Sequence, residues 1–315
     1  MKALLFDGEQ PQLAEAPEPV LAEGYALLRT TLAGICNTDL EILRGYSGFR
    51  GVLGHELVGR VERGPAAWIG KRVVSEINFA CGRCLMCERA LGRHCPDRTV
   101  MGILGSDGAF AERVAVPVAN LHAVPDGLSD ERAVFTEPLA AAFEIAEQID
   151  LGEHREALVF GDGKLGLLVA QVLAYFGLSV LAVGKHQDHL AILADRGIAT
   201  TLLDDWDPRP SDLVVEATGS DAGFALAVSA TRPRGTFVLK STVAGKSTLD
   251  LAPLVINEIS VVGSRCGPFP PALAALASDS IEVDGMVAAR RPLSDGVAAL
   301  ELAGERGCLK VLLEP

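Results

Sequence analysis

Cys81, Cys84, Cys87 and Cys95 fall within one short segment, CGRCLMCERALGRHC. Three thiols at two-residue gaps and a fourth after seven more residues can converge on one tetrahedral ion, so the segment must fold back on itself as a lobe. Four soft thiolates in a closed tetrahedron are what a structural zinc takes. The alternatives are two disulfides or four unused thiols. The chain has 7 cysteines, and its apolar start is interrupted by Asp7 and Glu9 before a secretory core could form. The expected setting is the reducing cytoplasm, where disulfides rarely persist, so zinc is the expectation.

The length of 315 residues allows two domains with separate cores. A net charge of -13 argues against nucleic acid and against anionic membrane surfaces as partners. Aromatic residues make up 5% of the chain, too few for a base-stacking surface. No uninterrupted apolar stretch approaches the roughly 20 residues of a membrane span.

Residues 25–32, 57–62, 72–77 and 110–116 carry apolar residues at strand spacing between glycine and proline turns, the texture of an antiparallel β-rich domain. From Asp130 the pattern is helical, with Ser129 as N-cap and an alanine-rich run to about Gln148. Strand and helix then alternate to about residue 262, which implies a parallel sheet wound by crossover helices. The tail adds two helices and a final strand. The expected division is residues 1–140 as a catalytic domain carrying the cysteine lobe, 141–266 as a coenzyme domain, and 267–315 returning to the first.

Within that alternation, the buried run 157–160 leads into Gly161-Asp162-Gly163-Lys164-Leu165-Gly166 and an apolar helix. A glycine pattern between strand and helix is the context that makes GxGxxG a dinucleotide motif. Gly161 permits the tight turn, Gly163 lets the backbone approach a pyrophosphate, and Gly166 allows close helix–strand packing. Lys164 and Leu165 begin the helix whose free N–H groups would face the phosphates, and Thr218 is a further expected cofactor contact. An NAD site usually ends its second strand in an acid for the ribose hydroxyls. Here the run 179–183 continues as Gly184-Lys185-His186. A corner with no acid and a neighbouring cation suits a 2′-phosphate, so NADP is favoured over NAD; the bland alternative is a solvated Lys185.

Cys36, His55, Glu56 and Glu137 are further ligand candidates on separate elements, and spacing cannot show that they converge. With the four-cysteine lobe, Gly54-His55-Glu56 and the glycine motif in this order, the chain resembles the zinc-dependent medium-chain alcohol dehydrogenases, most closely the polyol, sugar and threonine dehydrogenase branch. The resemblance implies a GroES-like β-rich catalytic domain plus a Rossmann doubly wound coenzyme domain, an α/β protein overall. It implies a catalytic zinc on Cys36, His55 and Glu137, with Glu56 exchanging in, and hence two zinc ions per subunit. Asp39 would orient His55, and Thr38 would be the first proton carrier. The position at which several relatives carry a relay histidine is Glu41 here. Relatives form dimers or tetramers through the edge of the coenzyme sheet, and a homodimer or homotetramer is expected. The implied activity is reversible hydride transfer between an alcohol, polyol or sugar and nicotinamide. The alternatives are a zinc-free quinone or enoyl reductase, or an inactive nucleotide-binding protein on the same fold.

Overall fold

The structure is a computed structural model that describes residues 1–242 and 248–315. Contacts divide the chain into two units, Met1–Glu137 with Val287–Pro315, and Pro138–Met286. The return to the first unit begins at Val287, not at 267, because the helix Phe269–Ala277 belongs to the second unit. The first crossing lies between Glu137 and Pro138, close to the expected residue 140.

The first unit is β-rich. Its main sheet runs Leu121–Ala123, Arg72–Ser75, Glu56–Arg63, Tyr25–Gly34, Lys310–Glu314, Val287–Pro292, with Arg113–Pro117 also paired to Tyr25–Gly34. The long central strand carries Leu28, Leu32 and Ala33 into the core, where they are at most 1% exposed. The final strand places Leu312 opposite Gly34, and Gly34 lies opposite Glu56 on its other side. This register decides which side chains meet at the end of the sheet, because a slip of one residue would turn each to the other face.

The helix expected from 130 to 148 is two helices, Asp130–Ala133 and Thr136–Gln148. Ser129 does cap the first, its Oγ accepting the Arg132 N–H at 3.3 Å. The interruption follows from Pro138. It has no N–H to continue the ladder, and it is tolerated in the first turn of a new helix, so the chain turns at Val134 and Phe135 and starts again.

The second unit is a six-stranded parallel sheet in the order Ala199–Leu202, Ser179–Gly184, Glu156–Phe160, Ser211–Glu216, Thr231–Leu239, Ser260–Gly263. In chain order this is 3-2-1-4-5-6, the doubly wound arrangement of a Rossmann domain. Continuous apolar strands give it a core on both faces, including Leu158, Phe160, Val214 and Phe237. The order reverses beside Glu156–Phe160, the strand that runs into the glycine motif, and such a switch point is where α/β sheets bind ligands. Among the described residues no helix is long and apolar enough to cross a membrane.

Candidate active site and dinucleotide site

Three side chains of kinds that can ligate a metal meet where the central strand of the first unit ends. Cys36 is the N-cap of the helix Asn37–Leu43, immediately after Tyr25–Gly34. Glu56 opens the neighbouring strand, Glu56–Arg63, and His55 immediately precedes it. Ligand atoms of Cys36, His55 and Glu56 lie within 4.8 Å of one another, His55 and Glu56 being buried.

One carboxylate organises the first two. Asp39 Oδ2 accepts the Cys36 N–H at 2.8 Å, and Asp39 Oδ1 lies 3.1 Å from His55 Nδ1. Asp39 is fully buried. With Nδ1–H directed at a carboxylate, the imidazole keeps Nε2 as its donor atom, the arrangement that carboxylates impose on metal-bound histidines. Burial opposes a charge on His55, but the Asp39 carboxylate and the Cys36 sulfur together raise its pKa well above the usual histidine range. Thr38 Oγ1 lies 3.8 Å from Cys36 Sγ.

Glu56 has a partner that sequence reasoning missed. Lys310 Nζ donates to Glu56 Oε1 at 2.7 Å and Oε2 at 2.5 Å, with the two side chains 1% and 0% exposed. Burial pushes the Lys310 pKa down, yet the Glu56, Cys36 and Glu137 charges more than reverse this and raise it. The one available signal was a lysine directly before the apolar run Val311, Leu312 and Leu313 of the strand Lys310–Glu314. Gly34 makes room for this pair, since an added Cβ would collide with Glu56 Oε2. Glu137, at the start of Thr136–Gln148, is not in the group of three; its charge reaches the site through Lys310. Glu41 pairs outward with Arg44 at 2.6 Å.

The four-cysteine lobe closes as expected. Sγ–Sγ distances are 3.5 Å for Cys84–Cys87, 3.7 Å for Cys84–Cys95 and 4.0 Å for Cys81–Cys87. A tetrahedron with zinc–sulfur bonds of about 2.3 Å has edges of about 3.8 Å, so the donor set fits zinc as it stands. The Arg83 backbone N–H leads the contacts that pull the Cys81 thiol down to about 7. The Cys81 backbone N–H favours a Cys95 thiolate, but desolvation and the neighbouring sulfurs push Cys95 up to about 11.

In the second unit the glycine motif has the geometry a pyrophosphate needs. Gly161 takes φ +118, and an added Cβ would come 2.6 Å from the Ala217 carbonyl oxygen. At Gly166 a Cβ would collide with the Gly161 carbonyl, whereas at Gly163 it would meet open space. Gly163 is therefore the residue whose bare backbone can face a ligand, at the N-terminus of Lys164–Tyr175. Lys164 and Leu165 open that helix. Thr218 is tied to Glu216 Oε1 through its N–H and its Oγ1, each at 2.6 Å. The corner beyond Gly184 is not the acid-free pocket that the sequence suggests. The Asp162 carboxylate stands over Gly184 and receives the Lys185 and His186 N–H groups, each at 2.6 Å. Lys185 itself is exposed.

A switch-point glycine loop in one unit and a cysteine–histidine–glutamate group in the other are the equipment of a dehydrogenase that uses both a metal and a dinucleotide. Known proteins agree. The alcohol dehydrogenase GroES-like domain matches residues 22–126, and the zinc-binding dehydrogenase family matches residues 165–278. The solved alcohol dehydrogenase TADH from Thermus sp. ATN1 is 30% identical, with a TM-score of 0.88 over 100% of this chain and 99% of that one. An Escherichia coli CFT073 alcohol dehydrogenase, solved with NADH, is 25% identical with a TM-score of 0.90 over 100% and 99%. D-arabinitol dehydrogenase 1 of Uromyces fabae is 28% identical over 100% of this chain and 97% of its own length. The chain belongs to the zinc-dependent medium-chain alcohol dehydrogenase family, and it is an oxidoreductase of the alcohol and polyol dehydrogenase kind.

Proposed function

We propose that this chain is a zinc-dependent, NAD(P)-linked dehydrogenase of polyols or sugar-like secondary alcohols. The observation that carries the reading is the shared Asp39 carboxylate, which fixes both the Cys36 backbone and the His55 ring. That arrangement suits a metal-held imidazole, which favours this reading over a zinc-free reductase or an inactive nucleotide-binding protein. Thiolate, imidazole and carboxylate are donors that zinc takes. Cys36, His55 and Glu137 would hold the catalytic ion, with Glu56 able to exchange in, and Cys81, Cys84, Cys87 and Cys95 would hold the second of two ions per subunit. Bound there, zinc supplies Lewis acidity toward the alcohol oxygen, and nicotinamide supplies the hydride acceptor.

The chain's own residues do the rest. Asp39 keeps the His55 tautomer fixed, so the donor atom need not be reoriented during turnover. Thr38 Oγ1, 3.8 Å from Cys36 Sγ, would take the alcohol proton and pass it on. Lys310 holds Glu56 through both oxygens, so the carboxylate must release one of them to act as a ligand.

The Uromyces fabae relative is named for D-arabinitol, and five-carbon polyols are the first substrates to test. A panel of polyols, sugars and simple alcohols, read by absorbance of reduced nicotinamide with both nucleotides, should show the highest kcat/KM on a polyol. Zinc-replete protein that turns over no member of the panel would overturn the reading. The NADP preference loses its support once Asp162 occupies the corner at Gly184.

The reading includes a homodimer or homotetramer in the cytoplasm. Four thiols gathered as those of Cys81, Cys84, Cys87 and Cys95 are suit a reducing compartment, where they stay available to a metal. Ser260–Gly263 is the outer strand of the coenzyme sheet, and Val261 on it is 45% exposed. Leu251, Val255 and Ile256 just before it are 57%, 77% and 77% exposed. An open edge beside an apolar patch suits a second copy of the same chain, related by a two-fold axis. Light scattering at micromolar protein is expected to give at least a dimer, and Ile256→Glu with Val261→Lys a monomer; a monomeric wild type would refute this.

A further inference from the structure

The second parallel strand, Ser179–Gly184, ends where a dinucleotide domain normally carries the acid that accepts the ribose hydroxyls. The structure supplies an acid at that corner from a different direction. Asp162, the second residue of the glycine motif, is 8% exposed. A Cβ added to Gly184 would come 2.5 Å from the Asp162 Cβ and 2.6 Å from its Cγ and Oδ2. The Asp162 side chain thus fills the volume that a side chain at 184 would take, and only glycine fits opposite it.

Asp162 is held at both ends. Its Oδ2 accepts the Lys185 and His186 N–H groups at 2.6 Å each and lies 3.1 Å from His186 Nδ1. Its carbonyl oxygen accepts from His189 Nδ1 at 2.9 Å, and His189 is buried. The two imidazole rings lie 4.6 Å apart on the same flank.

We propose that Asp162 selects the nucleotide, acting from the phosphate-binding loop in place of a strand-end acid, and that the chain therefore prefers NAD(H) to NADP(H). This rests on the dinucleotide reading of the second unit given above. Consecutive backbone N–H groups such as those of Lys185 and His186 make a ready cradle for a phosphate. Here the carboxylate already occupies them. A 2′-phosphate arriving at this corner would meet a mostly buried negative charge, where like-charge contact is costly and poorly screened. A ribose hydroxyl can instead donate to it. The exposed Lys185 is a solvated cation and does not outweigh a carboxylate buried at the corner itself. One consequence is that Gly184→Asp alone cannot install a working acid, because Asp162 leaves no room for it.

The test is equilibrium binding of NADH and NADPH to the purified protein, followed by nucleotide fluorescence without any alcohol. Wild type should bind NADH at least about tenfold more tightly than NADPH, an effect of the size expected for a like-charge contact. Asp162→Asn keeps an acceptor oxygen for the two N–H groups and removes the charge. It should shift the affinity ratio toward NADPH by about tenfold or more. Asp162→Gly combined with Gly184→Asp moves the acid to the strand end and should restore the NADH preference, which a merely structural Asp162 would not predict. Equal wild-type affinities, an unchanged ratio in Asp162→Asn, or a swap variant that binds both nucleotides alike would overturn the inference. A protein that binds neither nucleotide would overturn the dinucleotide reading itself.

Discussion

Lys310→Ala is expected to cost about 3–5 kcal/mol of folding stability, the loss typical when one partner of a buried ion pair is removed. The lysine and Glu56 are 1% and 0% exposed, so bulk solvent does not reach the carboxylate in place of the lost contacts. Nζ also reaches the Ile35 carbonyl at 3.4 Å and sits 5.5 Å from the Phe135 ring centroid, and both contacts would go with it. The pair itself need not be a net gain, since desolvating two charges offsets much of their attraction. What is costly is the lone carboxylate left behind. The double variant Glu56→Gln/Lys310→Met should therefore recover most of the loss, as both charges are gone and the volume is kept. Urea unfolding followed by circular dichroism would measure both. A Lys310→Ala variant within about 1 kcal/mol of wild type would show that Glu56 is neutral or finds another partner.

Local signals carried most of the fold. The strand before Gly161, the helix after it and the later alternation are properties of consecutive residues, and the parallel sheet follows from them. Cysteine spacing likewise specified a closed lobe. What escaped were the long-range facts. Lys310 and Glu56 are 254 residues apart in sequence, and no periodicity ties one to the other. Gly184 reads as a missing acid when its strand is taken alone, whereas the replacement comes from Asp162, 24 residues before His186, whose N–H it accepts. The helix Phe269–Ala277 has the same apolar pattern whichever unit it packs in, so the return of the chain was placed too early. The break before Thr136 was legible in Pro138 and was hidden by the alanine-rich pattern around it.

Cys36→Ser and Cys81→Ser are expected to fail in opposite ways, although each should lose one bound zinc per chain. Cys36 belongs to the group that Asp39 organises, and the backbone N–H that Asp39 holds is unaffected by the change from sulfur to oxygen. The fold around it should persist. Losing the metal's charge stabilisation, worth several kcal/mol, should lower kcat/KM by about a thousandfold or more. NADH binding should stay within about twofold, because the glycine motif belongs to the other unit and a lost metal ligand acts locally. His55→Ala should behave in the same way. Cys81 instead closes a lobe that has little apolar core of its own: Cys81, Cys84 and Cys87 are partly exposed, and Leu85 and Leu91 are 55% and 44% exposed. With a metal held there, its binding free energy would be folding free energy. Its loss should lower Tm by on the order of 10 °C, the shift that corresponds to a few kcal/mol in a unit of this size. Turnover per folded molecule at low temperature should change little. Zinc content, Tm and kcat/KM measured on both variants separate the two roles. A Cys81→Ser protein with wild-type zinc and Tm removes the structural site, and a Cys36→Ser protein that keeps its turnover removes the catalytic one.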